Sequence, residues 1–278
     1  MEQSKQNSID GVAENISALF KIYPVLKEIW VYTNEIAKSS KILVAHNPRH
    51  MMWDAKTAEI IYSTELELNK SEEIGQANIK LIVAAALLHD IGAYLGEYKL
   101  HDITGQKHIM STDFLSKFFG SIRKNLIDMD EIEKIATIVG EHNNYQQSTI
   151  ESKILYDADT LNKAGIHGIF QSFNIQKEFG VNLLKVAQRM VDGVKKKLDS
   201  NYYYTLAAKK QDQSMGEHGL GGLETTQIYW ENVLDILNER KYISADGILR
   251  PNKEIRLFNN EKSIQAEAFM RLGLQYGS

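Results

Sequence analysis

Apolar side chains recur along most of this chain at the three-to-four-residue interval of an amphipathic helix, not at the alternating interval of a strand. Residues 11–41 follow that interval with a break near Pro24. Asn47-Pro48 then places a capping side chain and a first-turn proline ahead of a helix expected to run to about Asn69. Residues 77–91 differ, because Leu81 to Leu88 reads Leu-Ile-Val-Ala-Ala-Ala-Leu-Leu and is apolar on every side. Such a helix belongs at the centre of a domain, and Gly92 marks its expected end. Further helices are predicted over 105–119, 128–141 and 151–164, a long one over 171–198, and two more over 224–239 and 260–274. Residues 243–258 predict a short hairpin around Asp246-Gly247, and the polar, Gly-rich stretch 211–222 predicts a mobile loop. Only three prolines, Pro24, Pro48 and Pro251, interrupt 278 residues, which fits an all-α class.

That length suffices for a catalytic domain with a helical appendage. The expected division is an N-terminal part, 1–172, that carries the chemistry below, and a helical C-terminal extension, 173–278, packed on it. Charged residues are 24% of the chain, the formal net charge is -4, and the two signs are interspersed. No basic stripe stands out, so duplex nucleic acid is not expected as a partner. There is no cysteine, which removes disulfides, thiolate nucleophiles and Cys-ligated metals. Any metal must then be held by His and carboxylate, a donor set that suits Fe, Mn, Zn, Co, Ni or Mg. No apolar run is long enough for a bilayer, and residues 1–10 lack the apolar stretch of a signal peptide. The expected location is the cytoplasm, with no membrane partner.

The sharpest chemical feature is Leu87-Leu88-His89-Asp90-Ile91-Gly92. An imidazole and a carboxylate end a helix that is otherwise hydrocarbon, and burying them without partners is costly unless a cation joins them. Successive helical residues point about 100° apart, so both reach one ion only where the helix ends. The alternative is a cap or an ion pair at that spot. His50 sits in the first turn of its helix; His46, four residues earlier, makes an apparent H-x-x-x-H pair with it, but Pro48 argues against one continuous helix presenting both. His46 is therefore read as loop. His108 and His142 each fall on an apolar helical face, where a lone His is more often a satisfied core residue, yet two of them flanking the His-Asp pair favour ligands. Asp157-Ala158-Asp159 lies in the apolar run Ile154 to Leu161, and periodicity does not choose which acid meets a cation and which is a cap. A second His-Asp dipeptide, His101-Asp102, follows Tyr98-Lys99-Leu100 instead of a buried helix, and Asp102 reads as a helix cap. His167 and His218 have no supporting pattern.

The order His50, His89-Asp90, Asp159 on an all-helical chain resembles the HD superfamily of metal-dependent phosphohydrolases, over about Pro48 to Gly168. The resemblance implies an HD-domain helical bundle with additional C-terminal helices. It favours Asp159 over Asp157, because the family's last aspartate is typically followed by a short x-Leu step, here Thr160-Leu161. Some branches add two histidines before that aspartate and bind two ions. His108 and His142 occupy matching places, which implies one or two divalent ions on His50, His89, Asp90, His108, His142 and Asp159, with Asp90 bridging. Val139-Gly140-Glu141-His142-Asn143 departs from the cyclic-dinucleotide-cleaving branch at Asn143, and the Gly-Tyr-Pro motif of that branch is missing.

The activity this implies is hydrolysis of a phosphate ester or anhydride, in a nucleotide or another small phosphorylated metabolite, by a metal-activated water. His89 and Asp90 are then catalytic. Lys163, one turn after Asp159, is expected to act in catalysis and to meet a phosphate oxygen, and Lys107 beside His108 to do the latter. The expected partners are that substrate and a second copy in a homodimer. Two other readings compete: a dinuclear-iron oxygenase on the same ligands, and a regulatory module that binds metal or nucleotide without turnover. Metal analysis with an oxygen-consumption assay separates the first, and turnover of a generic phosphate ester the second.

Overall fold

The computed structural model describes residues 16–40, 46–69, 71–96, 98–118, 127–143, 146–199, 202–217, 221–244, 247–248, 250 and 254–276. Every regular element among them is helical, in line with the all-α pattern, and no described helix is long and apolar enough to cross a membrane. The chain divides into two compact units. The first comprises Met1–Thr160 with Tyr204–Ala208, and the second Leu161–Tyr203 with Lys209–Ser278.

In the first unit, helix α1 (16–22) precedes α2 (Pro24–Ser39), α3 (Pro48–Leu68), α4 (Glu72–Gln76) and α5 (Ile79–Leu88). Leu81 to Leu88 are all buried, and α2, α3 and α9 (Met129–Glu141) pack around them. Each large aliphatic side chain removed from water here contributes roughly 1.5–3 kcal/mol. The caps follow from sequence. Asn47 Oδ1 accepts from the Arg49 and His50 amides, with Pro48 in the first turn, and Asp128 and Glu131 form a reciprocal capping box on α9. Thr33 Oγ1 donates to Leu87 O at 3.0 Å, which fixes the end of α5 against α2.

That end lies earlier than the glycine suggests. Helix α5 stops at Leu88, His89 and Asp90 form the turn, and α6 (Ile91–Leu95) starts at once. Gly92 is inside α6, and its role is close approach: a Cβ there would lie 2.0 Å from His101 O and 2.5 Å from Gly105 N. Helix α7 (His101–Ile109) therefore crosses α6 with backbone nearly touching backbone. The helix predicted over 105–119 is two, α7 and α8 (Thr112–Phe118), broken at Met110-Ser111, while Phe119 lies outside the described residues. Helix α10 (Ile150–Asn162) closes the first unit.

The second unit is built on α11 (Gly165–Phe179), α12 (Leu183–Asp199), α13 (Leu206–Glu217), α14 (Gly222–Glu239) and α15 (Glu254–Tyr276). Its core is Tyr229, Trp230, Val233, Ile236 and Leu237 of α14, against which α11, α12 and α15 pack. Four expectations change. The long helix over 171–198 is interrupted at Gly180, whose φ of 60° is a left-handed C-cap that a β-carbon disfavours. The expected boundary at 172 falls inside α11. The stretch 211–222 is not a loop for most of its length, since Leu206–Glu217 is helical; residues 218–220, with His218, lie outside the described residues. Around the expected hairpin, Ser244 N–H donates to Ile248 O and Arg250 N–H to Tyr242 O, both at 2.9 Å, but there is no strand among the described residues and α15 starts at Glu254. Asp246 lies outside the described residues.

Gly92→Ala forces the α6–α7 crossing apart against a backbone carbonyl, which cannot yield as a side chain would. The expected destabilisation is at least ~1–3 kcal/mol in urea unfolding, whereas Gly75→Ala, with nothing near its Cβ, leaves the midpoint close to wild type or above it.

Candidate metal centre

Seven ionisable side chains from five places in the first unit converge at the end of α5: His46, His50, Asp54, His89, Asp90, His142 and Asp159. His50 enters from the first turn of α3. Its Nε2 lies 3.1 Å from Asp54 Oδ2, 3.4 Å from Asp159 Oδ1 and 3.6 Å from Asp90 Oδ2. His89 Nε2 lies 3.4 Å from Asp54 Oδ2 and 3.3 Å from Asp90 Oδ2. On the other oxygen of Asp90, His101 Nε2 sits at 3.2 Å and His142 Nε2 at 3.9 Å, and these two nitrogens are 3.1 Å apart. His46 Nδ1 is 2.7 Å from Asp90 Oδ2. The Asp90 carboxylate thus faces one ligand set with each oxygen.

Local backbone geometry aims the imidazoles. His89 Nδ1 donates to Ala86 O at 2.9 Å and His142 Nδ1 to Val139 O at 2.6 Å, each to a carbonyl three residues back at a helix end. Both rings then turn Nε2 inward, the tautomer a metal ligand needs. Tyr94 O–H donates to His46 O and holds the chain ahead of α3. Asn143 Nδ2 lies 2.9 Å from His101 Nε2.

The cluster is almost sealed: His89 and Asp54 are 0% exposed, Asp90 and His142 1%. Burial disfavours the charged forms, yet the carboxylates prevail at two rings. The charge of Asp90, with those of Asp54 and Asp159, raises His89 to about 10 against its burial. Asp54, Asp159 and Asp90 likewise raise His50 against its burial. Asp90, although buried, is held well below the usual carboxylate range by His89 and His46, with His101. Burial and the neighbouring His89 and His101 push His142 down to about 3. His89 Nε2 is buried and makes no hydrogen bond, and faces two carboxylates. A buried ring nitrogen with no hydrogen bond, set among acidic oxygens, fits a divalent cation that displaces its proton. His50, Asp54, His89 and Asp159 would hold one, their ligand atoms all lying within 4.8 Å of one another; His89, Asp90 and His142 form a second such set, and His46, His50 and Asp90 a third.

The structure brings together His50, His89, Asp90, His142 and Asp159 of the expected ligands, and places His108 elsewhere. His108 Nε2 is 2.5 Å from Tyr32 Oη, its ring stacks on Tyr32 and abuts Phe114, and burial lowers its pKa. His101 takes the position expected of His108. Seven residues apart on α7, the two share a face but lie about 10 Å apart along the axis, so one ion pair cannot draw both. The sequence signal for His101 is the glycine pair Gly92 and Gly105, which lets α7 begin against α6. His46 precedes α3, as Pro48 requires, and still reaches Asp90. Asp54 had one signal, its position one turn past His50. Asp157 points elsewhere: it accepts from the Tyr204 amide at 3.0 Å and from the Thr205 amide and hydroxyl at 2.7 Å. Lys107 is exposed on α7, whereas Lys163 is half-buried in the turn after α10 and belongs, like exposed His167, to the second unit.

Residues 50–164 match the family model of the HD domain, a span that opens on His50 and closes just past Asp159. No curated protein and no solved structure gives a significant match to the chain. Residues 50–164 are therefore similar to the HD domain, whose family is made up mostly of metal-dependent hydrolases.

His101→Ala is expected to lower bound metal, measured by elemental analysis after loading and desalting, while His108→Ala leaves it unchanged. Because His89 is raised to about 10 and carries a proton at neutral pH without metal, an ion must displace it. Affinity therefore rises with pH up to about 10, the value for His89, by roughly tenfold per pH unit for each proton released. Calorimetry in buffers of different ionisation enthalpy counts those protons.

Proposed function

We propose that this protein is a metal-dependent phosphohydrolase acting on a nucleotide or another small phosphorylated metabolite. The observation that supports it is the buried Asp90 carboxylate with a separate set of imidazoles at each oxygen, inside an HD domain. His50, Asp54, His89 and Asp159 would hold one divalent ion and His101 and His142 would contribute to a second, with an Asp90 oxygen available to each. A bound divalent ion supplies water of lowered pKa and neutralises charge on phosphoryl oxygens. The chain's own contribution is orientation and exclusion of bulk water. His89 and His142 are locked by backbone carbonyls, and Asp90 is held ionised by the imidazoles around it. The low dielectric of the pocket strengthens each of these interactions. Lys107, the exposed cation on α7, is the candidate for a phosphate contact, and Lys107→Ala then raises KM and leaves kcat near wild type.

The same residues would also hold two iron ions for oxygen chemistry, which is the second reading. The test is a panel of nucleotides, sugar phosphates and p-nitrophenyl phosphate assayed with Mn2+ or Fe2+, beside oxygen uptake by the iron-loaded protein. Phosphate release that falls in Asp159→Ala or His89→Ala by more than the ~10–100-fold typical of outer metal partners supports the hydrolase. Oxygen uptake without phosphate release replaces it with the oxygenase.

A further inference from the structure

Asp54 stands outside the His, His-Asp, Asp pattern from which the domain's resemblance was drawn, yet it is fully buried in the middle of α3. Its Oδ2 is 3.1 Å from His50 Nε2 and 3.4 Å from His89 Nε2, and it shares a ligand-range set with Asp159. The side of the ring it faces is the telling point. A carboxylate that only orients a metal-bound imidazole bonds the nitrogen that points away from the ion. On His89 that nitrogen, Nδ1, is already committed to Ala86 O, and Asp54 lies on the Nε2 side, where the ion would sit. A second carboxylate, Asp90, lies on the same side of His89 at 3.3 Å.

We propose that Asp54 is a direct metal ligand, so that the centre on His50 and His89 carries two imidazoles and two carboxylates of its own, with Asp90 at its border. The inference depends on the proposed function only for the presence of an ion. Its consequence is selectivity. Carboxylate oxygens favour the harder ions Mn2+ and Mg2+, and imidazoles favour Zn2+, so Asp54 shifts the centre's relative preference from Zn2+ towards Mn2+. A mere ion pair between Asp54 and His50 along α3 would give no such shift, because its loss would weaken both ions alike.

The experiment measures Mn2+ and Zn2+ affinities by competition titration on the full chain, as wild type, Asp54→Asn and Asp54→Glu, with far-UV circular dichroism to establish folding. Asp54→Asn is expected to lower Mn2+ affinity by ~100-fold or more and Zn2+ affinity by at least ~10-fold less than that. Asp54→Glu, which keeps the carboxylate, recovers most of the Mn2+ preference. An unchanged Mn2+ to Zn2+ ratio in a folded Asp54→Asn overturns the assignment. A wild-type chain that binds neither ion removes the proposed function as well, which separates the two failures. Should the Asn variant not fold, wild-type crystals loaded with Mn2+ decide it. An anomalous peak about 2.0–2.2 Å from Asp54 Oδ2 is the distance of a carboxylate ligand, and a peak beyond about 3 Å rules one out.

Discussion

A carboxylate at the tip of a hydrocarbon helix is the element on which the first unit turns. Asp90 follows eight consecutive buried apolar residues, and it stays ionised there because imidazoles approach both of its oxygens. In a medium of low dielectric that attraction is large, and so is the cost of leaving any member without a counterpart. Four helices and a loop have to deliver their side chains to the same few ångströms. The positions of α3, α7, α9 and α10 around α5 are thus constrained by charge as well as by packing.

Four of the five imidazoles arrive where a helix starts or stops, and His46 comes from the turn just ahead of α3. His50 is in a first turn set by Asn47 and Pro48, His101 opens α7, and His89 and His142 cap the ends of α5 and α9. Helix ends expose carbonyls with no intrahelical donor. His89 and His142 use those carbonyls to fix their rings, so one hydrogen bond satisfies a backbone acceptor and orients a ligand. The glycine contact between α6 and α7 brings His101 into range. Side chains larger than hydrogen at that crossing would hold it off.

Much of this was legible in the sequence, for identifiable reasons. The buried helix, the His-Asp break and the caps at Asn47 and Asp128 are local, and composition reveals them. Asp159 against Asp157 was settled by resemblance, since both acids sit in the same apolar run. His108 and His101 could not be separated by periodicity, because seven residues return to nearly the same face; the choice lay in how far along α7 the helix meets α6, a tertiary fact. His46 was set aside on a correct argument about Pro48, which forbids a shared helix but not a shared site. Asp54 was missed because one acid on a mixed helix looks solvated until its neighbours are known. In the second unit, the break at Gly180 and the helix over 206–217 escaped a pattern-based reading, since a single glycine and a polar stretch are compatible with either outcome.

Asp157 and Glu65 lead to a different kind of result. Both are buried acids of the first unit, and both accept backbone amides from far along the chain, Asp157 from Tyr204 and Thr205 and Glu65 from Ala207. The first unit is therefore not a contiguous stretch that could be excised. Cutting after residue 172 would strip Asp157 of its Tyr204 and Thr205 donors and Glu65 of its Ala207 donor, each at a penalty of roughly 1–3 kcal/mol. Here the five residues Tyr204–Ala208 return to the first unit, so no single cut of the backbone separates the two units.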